Sequence, residues 1–246
     1  MSTIQDALAD IVQHTHALGF VNLVKVTGED SATSLSAVGD DRKVIVEATF
    51  KKPINDFIGT FGLPNLSKLN TILNIPEYKT DAKVTMSKQD KEGTKVPVGV
   101  HFENSAGDFK NDYRLMSAEV VNEQMKTIKF KGVNWDIDIV PSLSSIQRLK
   151  FQSQANNEIT HFVAKTESGK LMFFFGDHSS HAGSFVFEQN ITGELKKAWA
   201  WPVQAVISIL SLPGDKTFKI SDQGAAMITV DSGIADYNYI LPAQTV

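Results

Sequence analysis

Residues 141–176, PSLSSIQRLKFQSQANNEITHFVAKTESGKLMFFFG, decide the fold. Residues 141–157 read as a helix, with Pro141 suited to a first turn. After Asn157 the grammar changes, and residues 159–166, 170–176 and 183–189 read as strands separated by turn residues. Residues 201–212 form a second apolar helical stretch, stopped by Pro213 and Gly214. Three closing strands follow, near residues 216–220, 225–230 and 236–241.

The first half uses the same grammar. Residues 3–18 place Ile4, Ala7, Leu8, Ile11 and Val12 at helical spacing, with Ser2 and Thr3 as N-caps. Strand-like runs follow at 21–27, 33–38 and 43–50. Residues 54–75 are apolar but interrupted by Gly59, Gly62 and Pro64, and read either as two short helices or as a helix and a loop. Residues 81–88, 95–104 and 109–116 are strands again. Three echoes occur in the same order: FVNLVKVTGED (20–30) with ITHFVAKTESG (159–169), FKKPINDFIGTF (50–61) with LKKAWAWPVQAVISIL (195–210), and KVTMSKQD (83–90) with TFKISDQG (217–224). They argue for a duplicated α+β domain, each copy made of two helix-plus-three-strand units with antiparallel sheets. The boundary is expected in the polar run SAEVVNEQMKT (117–127), giving domains 1–120 and 121–246.

The chain has 246 residues, 24 Lys and Arg against 28 Asp and Glu, a net charge of −4 and 42% hydrophobic residues. These values exclude a collagenous, coiled-coil or disordered chain, and two domains of this size each bury a core. Without cysteine there is no disulfide framework, thiol nucleophile or thiolate metal site, which fits a reducing interior. The N-terminal stretch MSTIQDALADIVQHTHALGF lacks a basic segment, and no long apolar run occurs, so neither a signal peptide nor a membrane span is expected. A slightly acidic total excludes a protein that holds nucleic acid by being basic all over. Any such contact must come from charge placement.

Acids are missing where helices are expected. Residues 57–76, 141–157 and 195–214 contain no Asp or Glu, although the overall frequency would place about six there. These stretches hold Lys68, Arg148, Lys150, Lys196 and Lys197. If the helices share a face, that face attracts phosphates while strands and turns repel them. The alternative is that buried apolar helices simply contain few charges. The first helix departs from the pattern, with Asp6 and Asp10 beside His14 and His16.

Residues 141–176, the closing stretch SLPGDKTFKISDQGAAMITVDSGIADYNYILPA (211–243) with its terminal YILP, and PINDFIGTFGLPNLSKL (53–69) together carry a likeness. In these segments and in the order of elements, the chain resembles the DNA polymerase sliding clamps, especially the processivity clamps of large tailed phages and more distantly proliferating cell nuclear antigen (PCNA). The resemblance implies a non-enzymatic ring without cofactor or metal, in the cytoplasm, or the host cytoplasm if viral. Sheets form its outside and helices line a hole for duplex DNA, held without sequence specificity. Two-domain chains then close as a homotrimer by pairing edge strands, for which residues 109–116 and 183–189 are the candidates. The partners implied are the replicative DNA polymerase and an ATP-dependent clamp loader.

On such a ring Arg148 ranks first for phosphate contact, since it falls with Ser145 and Gln152 opposite Leu143 and Ile146. Lys150 falls between Leu143 and Ile146 and reaches out along its stem. Lys68 lies on the second helical region; the pairs Lys51, Lys52 and Lys196, Lys197 precede helices and face either the hole or plain solvent. The family also binds peptide tails in an apolar pocket between an interdomain connector and the C-terminal strands. Carried across, this points to Pro213, Tyr239, Ile240, Leu241 and Pro242, with Val120 and Val121 from a connector shorter than in cellular clamps. Read without the resemblance, Tyr239 and Leu241 are core on one face of a strand.

Other readings compete. Asp177, His178 and His181 have spacing that a metal could use, or they make a polar turn between Phe175 and Phe185. Asp136 and Asp138 alternate on a strand, as a solvated face does. There is no phosphate-cradling glycine loop, GxSxG elbow or HExxH. A β-rich module binding a small molecule or carbohydrate would use Phe162, Phe173 and Phe175 around a cavity. A virion structural protein is the remaining alternative.

Overall fold

The computed structural model describes residues 3–91, 93–125, 130–177 and 181–244. The chain forms two compact units, Met1–Ile128 with Ser232–Tyr237, and Lys129–Asp231 with Asn238–Val246.

The first unit opens with α1 (Ile4–His14). Thr3 caps it: its hydroxyl accepts from the Asp6 N–H, and the Asp6 carboxylate accepts from the Thr3 N–H. The expected face, Ile4, Ala7, Leu8, Ile11 and Val12, is buried. Strands β1 (Leu23–Gly28), β2 (Thr33–Val38), β3 (Ile45–Phe50) and β4 (Gly59–Pro64) follow, antiparallel in the order β4-β1-β2-β3. Helix α2 (Leu66–Leu73) packs on α1, and β5 (Lys83–Lys91), β6 (Thr94–Glu103) and β7 (Lys110–Arg114) make a second sheet in that order. A short helix, α3 (Ala118–Gln124), covers β4 and occupies the polar run offered as the domain boundary.

The second unit repeats the plan. A short strand β8 (Ile137–Ile139) precedes α4 (Leu143–Ala155), which starts at Ser142, whose hydroxyl accepts from the Ser145 N–H. Then come β9 (His161–Glu167), β10 (Lys170–Phe175), β11 (Gly183–Glu188) and β12 (Trp199–Pro202), ordered β11-β10-β9-β12. Helix α5 (Val203–Leu210) packs on α4, and β13 (Asp215–Ser221), β14 (Ala225–Asp231) and β15 (Ala235–Pro242) close the chain. All three sequence echoes fall on equivalent elements: β1 with β9, the approach to β4 with that to β12, and β5 with β13.

Two expected helices are shorter than the sequence suggested. Within residues 54–75, Gly59–Pro64 is strand β4, paired along its length with β1. Two glycines each weaken a helix by about 1 kcal/mol relative to Ala, and Gly62 serves a close approach instead. A Cβ there would stand 3.0 Å from Met116 Cβ and from Val121 Cγ2, and its backbone exchanges both hydrogen bonds with Met116 at 2.9 Å. Likewise Trp201 belongs to β12, which pairs with β9, and the helix begins only after Pro202.

The second core is aromatic. Phe173 stands 4.3 Å from Phe162 and 4.4 Å from Phe187 between ring centroids, and Phe175, Trp201 and Phe218 are fully buried around them. Phe162, Phe173 and Phe175 therefore pack on one another as core, which corrects the reading of them as the lining of a ligand cavity.

The first core carries a buried polar knot. Asp10 Oδ2 accepts from Tyr237 Oη at 2.8 Å and from Ser232 Oγ at 3.0 Å, and His14 stacks on the Tyr237 ring at 4.6 Å. A carboxylate this deep is retained only because donors satisfy it. It fastens residues 232–237, at the far end of the chain, onto α1.

Candidate nucleic-acid interface

Each unit pairs two helices, α1 with α2 and α4 with α5, and their outward residues set the charge available to a ligand. On α1 the exposed acid is Asp6, held in the capping box, while Asp10 is turned into the core. Lys68 is exposed on α2, Arg148 is exposed and Lys150 half-buried on α4, and α5 carries no charged residue. The acids Glu29, Asp30, Asp40 and Asp41 are exposed at turns. The outward helix residues thus carry a mild positive excess, as the acid-free stretches suggested.

Helix α4 sits differently from its expected orientation. Ser145, Ile146 and Leu149 are buried, whereas Leu143 is 87% and Phe151 58% exposed. The Arg148 guanidinium lies over the Phe185 ring at 5.4 Å, and Gln152 donates to the Ser184 carbonyl at 3.2 Å, so this side of the helix turns toward β11. A Cβ on Gly183 would meet Gln152 Oε1 at 2.7 Å, so glycine permits that approach. Leu143, Gln147 and Phe151, one ridge at a spacing of four, point outward with Arg148 on their flank.

The remaining lysines are exposed. Lys51 Nζ stands 3.9 Å from Asp236 Oδ1, and Lys52 lines a cavity with Asp56. The Lys196 and Lys197 N–H groups donate to the two Asp222 carboxylate oxygens at 2.9 and 3.1 Å, and Lys197 Nζ lies 5.7 Å from the Trp199 ring centre. These contacts fix the backbone of the pair and leave Lys196 directed at solvent.

Both candidate edges stand at the ends of their sheets: β7 follows β6, and β11 precedes β10. Behind β7, Tyr113 donates to the Pro64 carbonyl, and burial pushes its phenol pKa well up. On the outer face His101 Nδ1 lies 2.8 Å from Asp112 Oδ1, which raises the imidazole pKa above its usual value. Glu119, at the start of α3, pairs with Lys91 at 2.5 Å and is held down to about 2 by that hydrogen bond.

Of the residues offered for partner peptides, Tyr239, Ile240, Leu241 and Val121 are buried. Both faces of β15 are covered there, so the expected alternation is absent. Pro213, Pro242 and Val120 are exposed. A cavity of about 190 Å³ at the end of α3, lined by Leu23, Val38, Gly39, Arg42, Gln124 and Met125, was not singled out by the sequence, because its walls come from separate elements. Asp177 and His181 are described and His178 lies outside the described residues; among the described residues no cluster of His, Asp or Glu is placed to hold a metal ion. No helix among the described residues is long and apolar enough to cross a membrane.

No protein-family model matches the chain, and no curated protein matches its sequence. Solved structures do match in fold. A. fulgidus PCNA, bound to the C-terminal region of FEN-1, superposes with a TM-score of 0.71 at 12% identity, covering 99% of this chain and 97% of that one. PCNA from Thermococcus kodakaraensis gives a TM-score of 0.68 at 11% identity, covering 98% and 97%. Two similar α+β units with antiparallel sheets, matched along their whole length, give this chain the sliding-clamp fold.

Proposed function

We propose that this chain is one subunit of a sliding clamp of the tailed-phage type, a homotrimeric ring that encircles duplex DNA and tethers the replicative DNA polymerase. An ATP-dependent clamp loader opens and closes it, and it works in the cytoplasm of the host cell. The observation that carries the reading is the full-length likeness of fold to PCNA. Two further features support it. The sheet-end strands β7 and β11 each offer a row of backbone groups to a neighbouring copy. The outward helix residues include few cations and almost no acid, which suits loose, sequence-blind contact with phosphates by Lys68, Arg148 and Lys150. Encirclement supplies the tether, so adhesion stays weak enough for sliding. The chain itself performs no chemistry and uses no cofactor.

The A. fulgidus protein holds the C-terminal region of FEN-1. By analogy, this chain holds peptide tails of its polymerase and loader, and the exposed Pro213, Pro242 and Val120 are the first candidates to meet them. The test is primer extension on circular primed DNA with the cognate polymerase. Products should lengthen only when this protein, the loader and ATP are all present. No lengthening with all three would overturn the reading. Arg148→Glu should reduce the effect more at low salt than at high salt, because exposed charge is screened.

A further inference from the structure

We propose that His101 makes ring closure through β7 proton-dependent: its imidazolium offsets the carboxylate that Asp112 presents on this edge strand, so that copies of the chain join more tightly as the pH falls. The proposal rests on the clamp reading and adds a regulatory device to its joint. Strand pairing places His101 on β6 opposite Asp112 on β7 and Thr85 on β5, and Glu103 opposite Lys110 and Lys83. The alternate residues Val100, Phe102 and Tyr113 are buried, so the charged row lies on the open face of the sheet. There His101 Nδ1 lies 2.8 Å from Asp112 Oδ1, and Nε2 lies 3.4 Å from Glu103 Oε2. A neutral imidazole has one N–H and donates to one of these carboxylates, whereas the imidazolium donates to both. The arrangement favours the charged form, and the Asp112 hydrogen bond is the largest cause that raises the imidazole pKa above 6.5.

The other charges near this row are committed. Lys110 Nζ stands 3.2 Å from Glu103 Oε2; that contact, then His101 and the charge of Lys83, hold the Glu103 pKa below its usual value. Glu77 and Asp108 both accept from the Asn104 amide, on the buried face of β6. Strand β4, which also packs on β6, has no charged residue, and Arg114 lies two positions beyond Asp112, opposite Gly99. Asp112 is 71% exposed, and among the described residues its ion-pair partner is His101 alone.

At the joint β7 meets β11 of the next copy. On β11, Phe185 and Phe187 are buried, and Ser184, Val186 and Glu188 occupy the other face. A sheet that runs on across the joint keeps its buried face continuous, so Glu188 arrives on the same face as Asp112. Arg114 answers one of these two carboxylates, and the other is answered by the imidazolium. Like charges side by side on neighbouring strands oppose pairing, so a neutral His101 loosens the joint. Closure brings negative charge toward His101 and takes up a proton. Because this face stays open to water, the opposing effect of desolvation is the smaller one. A raised pKa sets the direction: the contribution is complete below about 6.5 and is lost as pH rises through the raised midpoint.

The test dilutes the whole chain at about pH 6 and about pH 8 and follows dissociation of the trimer by sedimentation. An exposed charge pair contributes about threefold per joint, so three joints give about thirtyfold in the association constant and about a fivefold lower midpoint concentration at the acid pH. Asp112→Asn should hold the midpoint at its low value at both pH values, and His101→Gln should hold it at its high value; a merely structural role would weaken the ring in both. His16→Gln, a histidine outside this sheet, should leave the shift intact. In an imidazole NMR titration the His101 midpoint should lie above 6.5 and fall in Asp112→Asn. A trimer that dissociates alike at both pH values, or tightens as pH rises, would overturn the proton dependence and leave the clamp reading standing, as would weakening by Asp112→Asn. A chain that stays single at both pH values would overturn both.

Discussion

Replacing Tyr237 with Phe removes one oxygen from the first unit and tests how its most distant segment is held. That oxygen donates at 2.8 Å to Asp10, a carboxylate only 7% exposed. Without it Asp10 keeps Ser232 Oγ at 3.0 Å and the weaker approach of His14 Nδ1 at 3.4 Å, so the charge is left under-satisfied rather than bare. A hydrogen bond to a charged group contributes about 1.5–3 kcal/mol, and the surviving donors place this loss near about 2 kcal/mol. For a chain of this size that corresponds to a fall in Tm of about 4–8 °C. Thermal unfolding followed by circular dichroism reads it directly. Asp10→Leu should cost more, because it removes the acceptor that Tyr237 and Ser232 share, and the double variant should cost less than the two singles together. If Tyr237→Phe melts within about 1 °C of the native chain, the knot does not fasten residues 232–237 as argued.

Two further outcomes are expected. Glu119 titrates at about 2 because Lys91 hydrogen-bonds to it; a lowered folded pKa means the pairing stabilises the fold above the ordinary carboxylate value of 4.5 and is lost as pH falls toward 2. Lys91→Gln should move the Glu119 midpoint up toward 4.5 in a carboxyl NMR titration, and an unmoved midpoint would contradict the assigned cause. Gly28→Ala should be severely destabilising, since its Cβ would fall 1.4 Å from the Phe57 carbonyl oxygen and force β1 away from β4. Near-native melting of that variant would show that the approach is not required.

The alternation of α and β grammar was legible in local sequence. Helix α4, strands β9 and β10 and both sheet-edge strands sit where periodicity and turn residues put them, and the three echoes mark equivalent elements. What local pattern hid was tertiary. Strands β4 and β12 look like the starts of helices because their apolar residues run on into α2 and α5; partner strands β1 and β9, distant in sequence, decide them. Asp10 and His14 stood out only as residues by which the first helix departs from the acid-poor pattern, because the partners of Asp10 lie 222 and 227 residues along the chain. Burial of Ser145 with exposure of Leu143 runs against hydrophobic periodicity, so the orientation of α4 and the flank position of Arg148 followed only from its seat against β11. Tyr239, Ile240 and Leu241 were marked by family likeness, which carries a motif but not its burial.

The ring itself is tested most directly by mass in solution. Sedimentation equilibrium of the purified chain at micromolar concentration should give three chains of 27.0 kDa, about 81 kDa, and charge reversal on the exposed side chains of β7 should shift it toward the single chain. A native species that stays at 27.0 kDa across that range, with no larger form on adding circular DNA and loader, would contradict closure through β7 and β11 and with it the account of encirclement.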